Sequence, residues 1–317
     1  GTIDLALNFG IGLLFGSLVF GSVLAAVIIA GIVYISSSAI ITKSLLDLGW
    51  IANAESEPML GTLVYEDLFI AVYLAIVSVL VLGGGNLRTA AGQIAIAIGV
   101  ILALLALVTY GTDFFQRFLE ADTNEFVVVR ALGVTILVAG IALALGVSEA
   151  VAAFFVGMTF SGTDHVHDLE QLLEPLRDAF AAIFFFWIGL VTDPGLFTGS
   201  VLGIIVAAVI VTTPPKLVSG YLGGRVYGLN DRRSLRVGLG MATRGEFSLI
   251  IASLALTGAG SGLPTGTAET IYAVAVGYVL VMSVLGTSLM QHSSRIEPAL
   301  VPLLEWNRSE TRQSTND

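Results

Sequence analysis

Glu66 and Asp67 stand side by side in "LGTLVYEDLFIAVYLAIV", residues 60–77, a run that meets no further charge until Arg88. Two adjacent carboxylates in apolar surroundings suit a narrow range of chemistry. Removal from bulk water favours the protonated carboxyl, whereas a bound cation or a nearby ammonium favours the carboxylate. Protons and a hard monovalent cation therefore compete for the same oxygens, and a site that faces two sides in turn exchanges one for the other. Lys216, in "VTTPPKLVSGYLGG", supplies the ammonium. A buried lysine changes protonation readily, so it can pair with Asp67 and release it when a cation arrives. Adjacent helical residues diverge by about 100°, so one acid can line an ion site while the other meets a neighbouring helix.

Two further stretches carry polar groups into apolar runs. "YISSSAIITK", residues 34–43, holds Ser36, Ser37, Ser38 and Thr42, and "GMATRGEFSLIIA", residues 240–252, holds Arg244, Gly245 and Glu246. Non-helical backbone at membrane depth is tolerated where it lines a cavity, and there it offers carbonyls and half-helix ends to ions. Both stretches are expected to be broken helices. The plainer alternatives are small-residue helix packing for the serines and a local ion pair for Arg244 and Glu246. Glu149, in "GVSEAVAAFFVGM", is read as a polar packing residue satisfied by a partner.

The elements that hold these residues follow from composition. With 56% hydrophobic and 12% charged residues and a mean hydropathy of +0.91, the chain lies far from the roughly 25% charged average of soluble domains. It reads as an all-α polytopic membrane protein. Ten apolar spans are expected, at about 5–24, 25–45, 60–83, 89–110, 126–145, 147–160, 177–192, 197–220, 235–257 and 268–290. A charge at bilayer depth costs about 2.5–3.5 kcal/mol on the mildest insertion scale, so the charged groups inside these spans mark a polar pathway. Threaded alternately, the spans place the basic loops on one side and only Arg88 on the other, so the crowded side and the polar tail at 293–317 are expected in the cytoplasm.

Order along the chain adds to this. Spans one to three read as helix, interrupted Ser-rich helix, then the helix of Glu66 and Asp67. Spans eight to ten read as the helix of Lys216, interrupted Arg-Gly-Glu helix, then helix. An offset of seven spans gives the triplets opposite topology, the pattern of inverted repeats whose discontinuous helices meet at a secondary transporter's site. A channel built from the same polar residues is the alternative, though no filter-like repeat appears. An enzyme is not expected, since the sequence has no cysteine and no dyad, metal-ligand spacing or phosphate loop at a plausible depth. The net charge of −10 argues against nucleic acid.

Five stretches in order, "SSSAIITKSLLDLGW", "GTLVYEDLFIAVYLA", "GVSEAVAAFFVGM", "EPLRDAFAAIFFFWIGL" and "GLGMATRGEFSLIIASLAL", resemble the monovalent cation:proton antiporter-2 family, in particular Kef-type potassium/proton antiporters with their sodium/hydrogen exchanger membrane domain. The resemblance implies an exchanger domain over 1–292, preceded in the family by two or three further spans. It implies a homodimer in the plasma membrane whose core moves like an elevator against a dimerisation domain. Carried over by motif, Asp67 is the ion-binding aspartate and the site of the monovalent cation. Glu66 holds the variable position beside it and tunes the charge moved per cycle. Ser36, Ser37, Ser38 and Thr42 belong to the first crossover, Arg244, Gly245 and Glu246 to the second, and Lys216 is the lysine before it. Cargo is K+ or Na+ and H+, with no cofactor. A regulatory nucleotide-binding subunit or domain outside this chain is a common companion in the family.

Overall fold

The computed structural model describes residues 1–82, 87–120, 123–145, 149–164, 166–191 and 193–302. The tail beyond 302 and the extreme ends of the spans expected at 60–83, 147–160 and 177–192 lie outside the described residues. In chain order the helices are α1 Thr2–Phe20, whose stretch Leu5–Phe9 is a π-turn, α2 Val23–Tyr34, α3 Ser38–Asp47, α4 Ser56–Leu82, α5 Leu87–Tyr110, α6 Thr112–Leu119 and α7 Asn124–Ala144. Then come α8 Glu149–Ser161, α9 Val166–Val191, α10 Gly199–Val226, α11 Asp231–Gly240, α12 Glu246–Thr257, α13 Thr265–Gln291 and a short helix over 293–302. Among the described residues there is no strand, only an isolated bridge between Ala259 and Leu263.

Among the described residues, six helices are long and apolar enough to cross a membrane: α1, α2 with α3 as one interrupted run, α4, α7, α10 and α13. The end of α5 with α6, bent by 66°, is either a broken seventh span or a re-entrant loop. The ten expected spans exceed this number for identifiable reasons. Helices α8 and α12 are only 13 and 12 residues long. The first half of helix α9 carries four acids, Asp168, Glu170, Glu174 and Asp178, with Pro175 among them, and α11 carries Asp231, Arg232, Arg233 and Arg236.

The chain forms two compact units, one of Gly1–Ile70 with the chain from Pro194 onward, the other of Ala71–Asp193. In the second, Phe115, Leu119, Val127, Val156 and Phe160 make the core. Glu149, expected as a packing residue, is exposed there at the start of α8, where the positive end of the helix favours a carboxylate.

The first unit contains both interrupted helices. Small residues bring its backbones together, as packing inside a membrane demands. A Cβ on Gly12 or Gly16 of α1 would fall 2.7 Å from the Cα of Ala30 or Ala26 in α2. A Cβ on Gly220 or Gly224 of α10 would likewise fall 2.6 or 2.7 Å from the Cα of Gly238 or Ser234 in α11. Turns between these helices use left-handed glycines, Gly21 at φ 63° and Gly228 at φ 78°. Each is followed by a side-chain cap, Ser22 accepting from the Ala25 N–H and Asn230 from the Arg233 N–H.

At one end of this unit the buried Glu55 and Glu297 hold Arg236 between them, at 2.8 Å and 2.6 Å. The guanidinium lies 4.9 Å from the Trp50 ring centre, and Arg232 also binds Glu297. Burial pushes the Glu297 carboxyl up, but the hydrogen bonds from Arg236 and Arg232 outweigh it and hold the group below its ordinary range. The helix over 293–302 is thereby fastened to α11.

Candidate functional site

Both helices break where the sequence supplies polar or flexible residues. Helix α2 stops at Tyr34 because Ile35 is extended, and Ser37 then caps α3 by accepting from the Ile40 N–H at 3.3 Å. Helix α11 stops at Gly240, and helix resumes only after Gly245. The two breaks meet. The Ser37 hydroxyl donates to Glu246 at 3.1 Å, and the single Ser36 hydroxyl proton lies between Glu66 Oε1 at 3.0 Å and the Met241 carbonyl at 3.2 Å. Gly245 has no room for a side chain, since a Cβ there would collide with Ser37 Oγ and lie 2.6 Å from Ser37 Cβ. Gly245→Ala is expected to cost about 1–3 kcal/mol through overpacking of the crossing. Thermal unfolding of the purified variant measures that loss, and an unchanged midpoint would contradict it.

Arg244 closes the crossing without an acid. Its Nε donates to the Val33 carbonyl at 2.9 Å, and Nη1 faces the carbonyls of Thr243, Ala242 and Met241 at 2.9, 3.0 and 3.3 Å. Carbonyls at helix C-termini lack intrahelical partners and carry the negative end of the macrodipole. One buried guanidinium thus answers the ends of both α2 and α11. The ion pair between Arg244 and Glu246, one of the two readings open from sequence, is not formed: Arg244 donates to backbone carbonyls and Glu246 accepts from Ser37. Helix α13 supports the break, its Ser283 hydroxyl donating to the Arg244 carbonyl at 2.7 Å.

Glu66 and Asp67 point to different surroundings, as a 100° step requires. Glu66 is fully buried. Its Oε2 accepts from the Ser36 N–H at 2.6 Å, and its Oε1 accepts from Lys216 Nζ at 2.6 Å. The ammonium, equally buried, gives its other protons to Asp4 Oδ2 at 2.8 Å and to the Tyr34 carbonyl at 3.1 Å, with the Tyr34 ring centre 5.3 Å away. Lys216 therefore pairs with Glu66 and Asp4, and the expected pairing with Asp67 is corrected. The side-chain phase along α4 decides which acid meets α10, and the sequence does not state that phase.

Asp67 is half-buried. Ser38, the first residue of α3, and the Glu246 carboxylate are its polar neighbours. Its Oδ1 is shielded from water and has no hydrogen-bond partner. Thr42, a turn further along α3, is half-buried and makes no side-chain hydrogen bond to these acids among the described residues.

Asp4 is the residue that sequence reading missed, because it sits where the first apolar run begins and resembles a span end. It is 3% exposed. Its Oδ1 accepts from Ser219 at 2.7 Å and from Asn8 at 2.9 Å. The available signal was the pair Asp4 and Asn8, four residues apart on one helical face of an otherwise apolar helix.

Residues 1–292 match the family model described as sodium/hydrogen exchanger, transmembrane. The chain is 36% identical over 307 residues to the K(+)/H(+) antiporter subunit KhtU of Bacillus subtilis, a match covering 96% of this chain and 74% of that protein. It is 31% identical over 302 residues to the ammonium/H(+) antiporter subunit AmhT of Alkalihalophilus pseudofirmus, covering 93% and 73%. To the putative cation/proton antiporter YbaL of Escherichia coli it is 26% identical over 288 residues, covering 88% and 51%. The crossed breaks, the paired lysine and the half-free aspartate thus lie in a chain that belongs to the sodium/hydrogen exchanger transmembrane family, an integral membrane monovalent cation/proton antiporter.

Proposed function

We propose that this chain exchanges K+ or Na+ for protons by alternating access, with the cargo carried at Asp67. The observation that carries this reading is the unpartnered, shielded Oδ1 of Asp67 beside the hydroxyl of Ser38 and the carboxylate of Glu246. Hard oxygens in this number suit an alkali cation. They stand where α3 and α12 begin, at the meeting of two broken helices. A proton and a cation cannot both hold the same oxygens, so occupancy by one displaces the other. Glu66, tied to Lys216, sets the charge moved per cycle. A channel is not favoured, since the relatives are named antiporters.

The ten-span threading with inverted triplets belongs to this proposal. It is supported by the like construction of the two breaks, each preceded by a glycine-faced helix packed on the half-helix that ends there. Residues 1–292 are the exchanger domain, in the plasma membrane, with the basic loops and the C-terminal end in the cytoplasm. Two relatives carry the word subunit in their names, which supports a partner chain; a homodimer and a regulatory nucleotide-binding subunit or domain outside this chain belong to the same proposal.

The test is reconstitution of the full-length protein in liposomes under an imposed pH gradient, following lumenal pH after addition of potassium, sodium or lithium, with and without clamping of the membrane voltage. Cation-dependent dissipation of the gradient is expected. Cation flux indifferent to the pH gradient would move the channel reading to the front.

A further inference from the structure

Lys216 has more negative charge around it than it can neutralise. One ammonium contacts two carboxylates, Glu66 on α4 and Asp4 on α1, and all three side chains are at most 4% exposed. Asp4 is also the more elaborately held acid. Both of its oxygens are occupied, Oδ2 by Lys216 and Oδ1 by Ser219 and Asn8, while the Asn8 amide also reaches the Asp4 carbonyl and the Ser219 hydroxyl, each at 3.0 Å. Helix α1 thus supplies a second, fixed counter-ion to the lysine of α10. The other titratable groups facing this cluster are Tyr34 and Tyr65, with Asp67 next along α4.

We infer that Asp4 is a positioning residue for cation exchange, holding the Lys216 ammonium against α1 so that Glu66 is only partly neutralised and its remaining charge acts on the cation bound at the neighbouring Asp67. Without Asp4, one ammonium and one carboxylate would cancel beside the cargo site. With Asp4, the cluster keeps a net negative charge there. In a low-dielectric interior such a charge acts across several ångströms with little screening. The consequence falls on apparent cation affinity before it falls on turnover, because Asp4 touches Lys216 and not the cargo.

This inference rests on Asp67 as the cargo site, and the experiment separates the two. Full-length wild type, Asp4→Asn, Asp4→Glu and Asp67→Asn are reconstituted in liposomes, and exchange is measured over a range of potassium and sodium concentrations at fixed pH gradient. Asp4→Asn is expected to raise KM for the cation about tenfold or more with maximal rate within about twofold, following the loss of one nearby charge. Asp4→Glu is expected to bring KM back to within about threefold of wild type. A purely structural role would lower the maximal rate or the amount of folded protein and leave KM alone. Unchanged KM in Asp4→Asn, or an equally high KM in Asp4→Glu, would overturn the inference. Should Asp4→Asn fail to fold, Ser219→Ala and Asn8→Ala loosen Asp4 without removing its charge. Both are then expected to raise KM in the same direction by a smaller factor, and no change in either would be equally decisive. If Asp67→Asn transports normally, the cargo site itself is misplaced; if Asp67→Asn is inactive while Asp4→Asn has wild-type KM, only the role of Asp4 is lost.

Discussion

Asp67→Asn is expected to abolish exchange while the protein still inserts and folds. The substitution removes a formal charge and keeps shape, so the surroundings of Asp67 can persist while the proposed cargo site loses its attraction for a cation. A unit charge at about 4 Å from a monovalent cation is worth about 4 kcal/mol at an effective dielectric of 20, which is close to a thousandfold in occupancy. The amide also cannot take up a proton at neutral pH, so both halves of the cycle fail together. Because Oδ1 has no protein partner to lose, folding has little to lose either. The measurement is the liposome exchange rate beside the gel-filtration profile and thermal midpoint of the same preparation. Wild-type exchange in a well-folded Asp67→Asn protein would remove Asp67 from the transport site.

Lys216→Met is expected to show the opposite pattern, with loss of stability as the primary effect. Lys216 is fully buried and answers two buried acids and a carbonyl. Replacing it by an apolar side chain of similar length leaves Glu66 and Asp4 facing one another with no cation between them. Breaking a buried pair by removing one partner costs about 3–5 kcal/mol. Here two acids lose the same partner, so the upper end of that range applies. The decisive comparison is a combined variant, Lys216→Met with Asp4→Asn and Glu66→Gln, which removes the uncompensated charges as well. It is expected to recover most of the lost thermal stability, since the three residues act as one unit and their effects are not additive. A single Lys216→Met variant as stable as wild type would show that the cluster does not hold this unit together.

The positions of the breaks were legible, and the reasons are local. Three serines inside an apolar run and an Arg-Gly-Glu sequence inside another are poor continuations of a membrane helix, and both coincide with non-helical backbone at 35–37 and 241–245. The buried lysine was legible on the same ground, because nothing else explains an ammonium behind two prolines in an apolar helix. What the ammonium touches was not. Glu66 and Asp67 differ by a single step of helical rotation, and that step decides which acid meets α10 and which meets α12. Arg244 was likewise visible as a buried charge, but its acceptors are backbone carbonyls, which leave no mark in a sequence. Asp4 escaped because a charge at the edge of an apolar run resembles a span end until the fold carries α1 against α10. Helices α8 and α12 are apolar but too short to count as spans by length alone, so the polytopic helical class was legible while the ten-span threading stays part of the proposal.

Arg244 sets a lower limit on the size of whatever part of the molecule moves. Its guanidinium ties the end of α2 to the end of α11 through carbonyls of Val33, Met241, Ala242 and Thr243. Sliding one break past the other would strip a buried cation of acceptors, at about 1.5–3 kcal/mol for each charge-assisted hydrogen bond lost. That toll would recur on every turnover. In the proposed alternating-access cycle the two breaks would travel as a single riveted piece, with the proposed cargo site between them. Any change of access is borne at the rim of that piece, and a search for its joints belongs in the connections around the crossing.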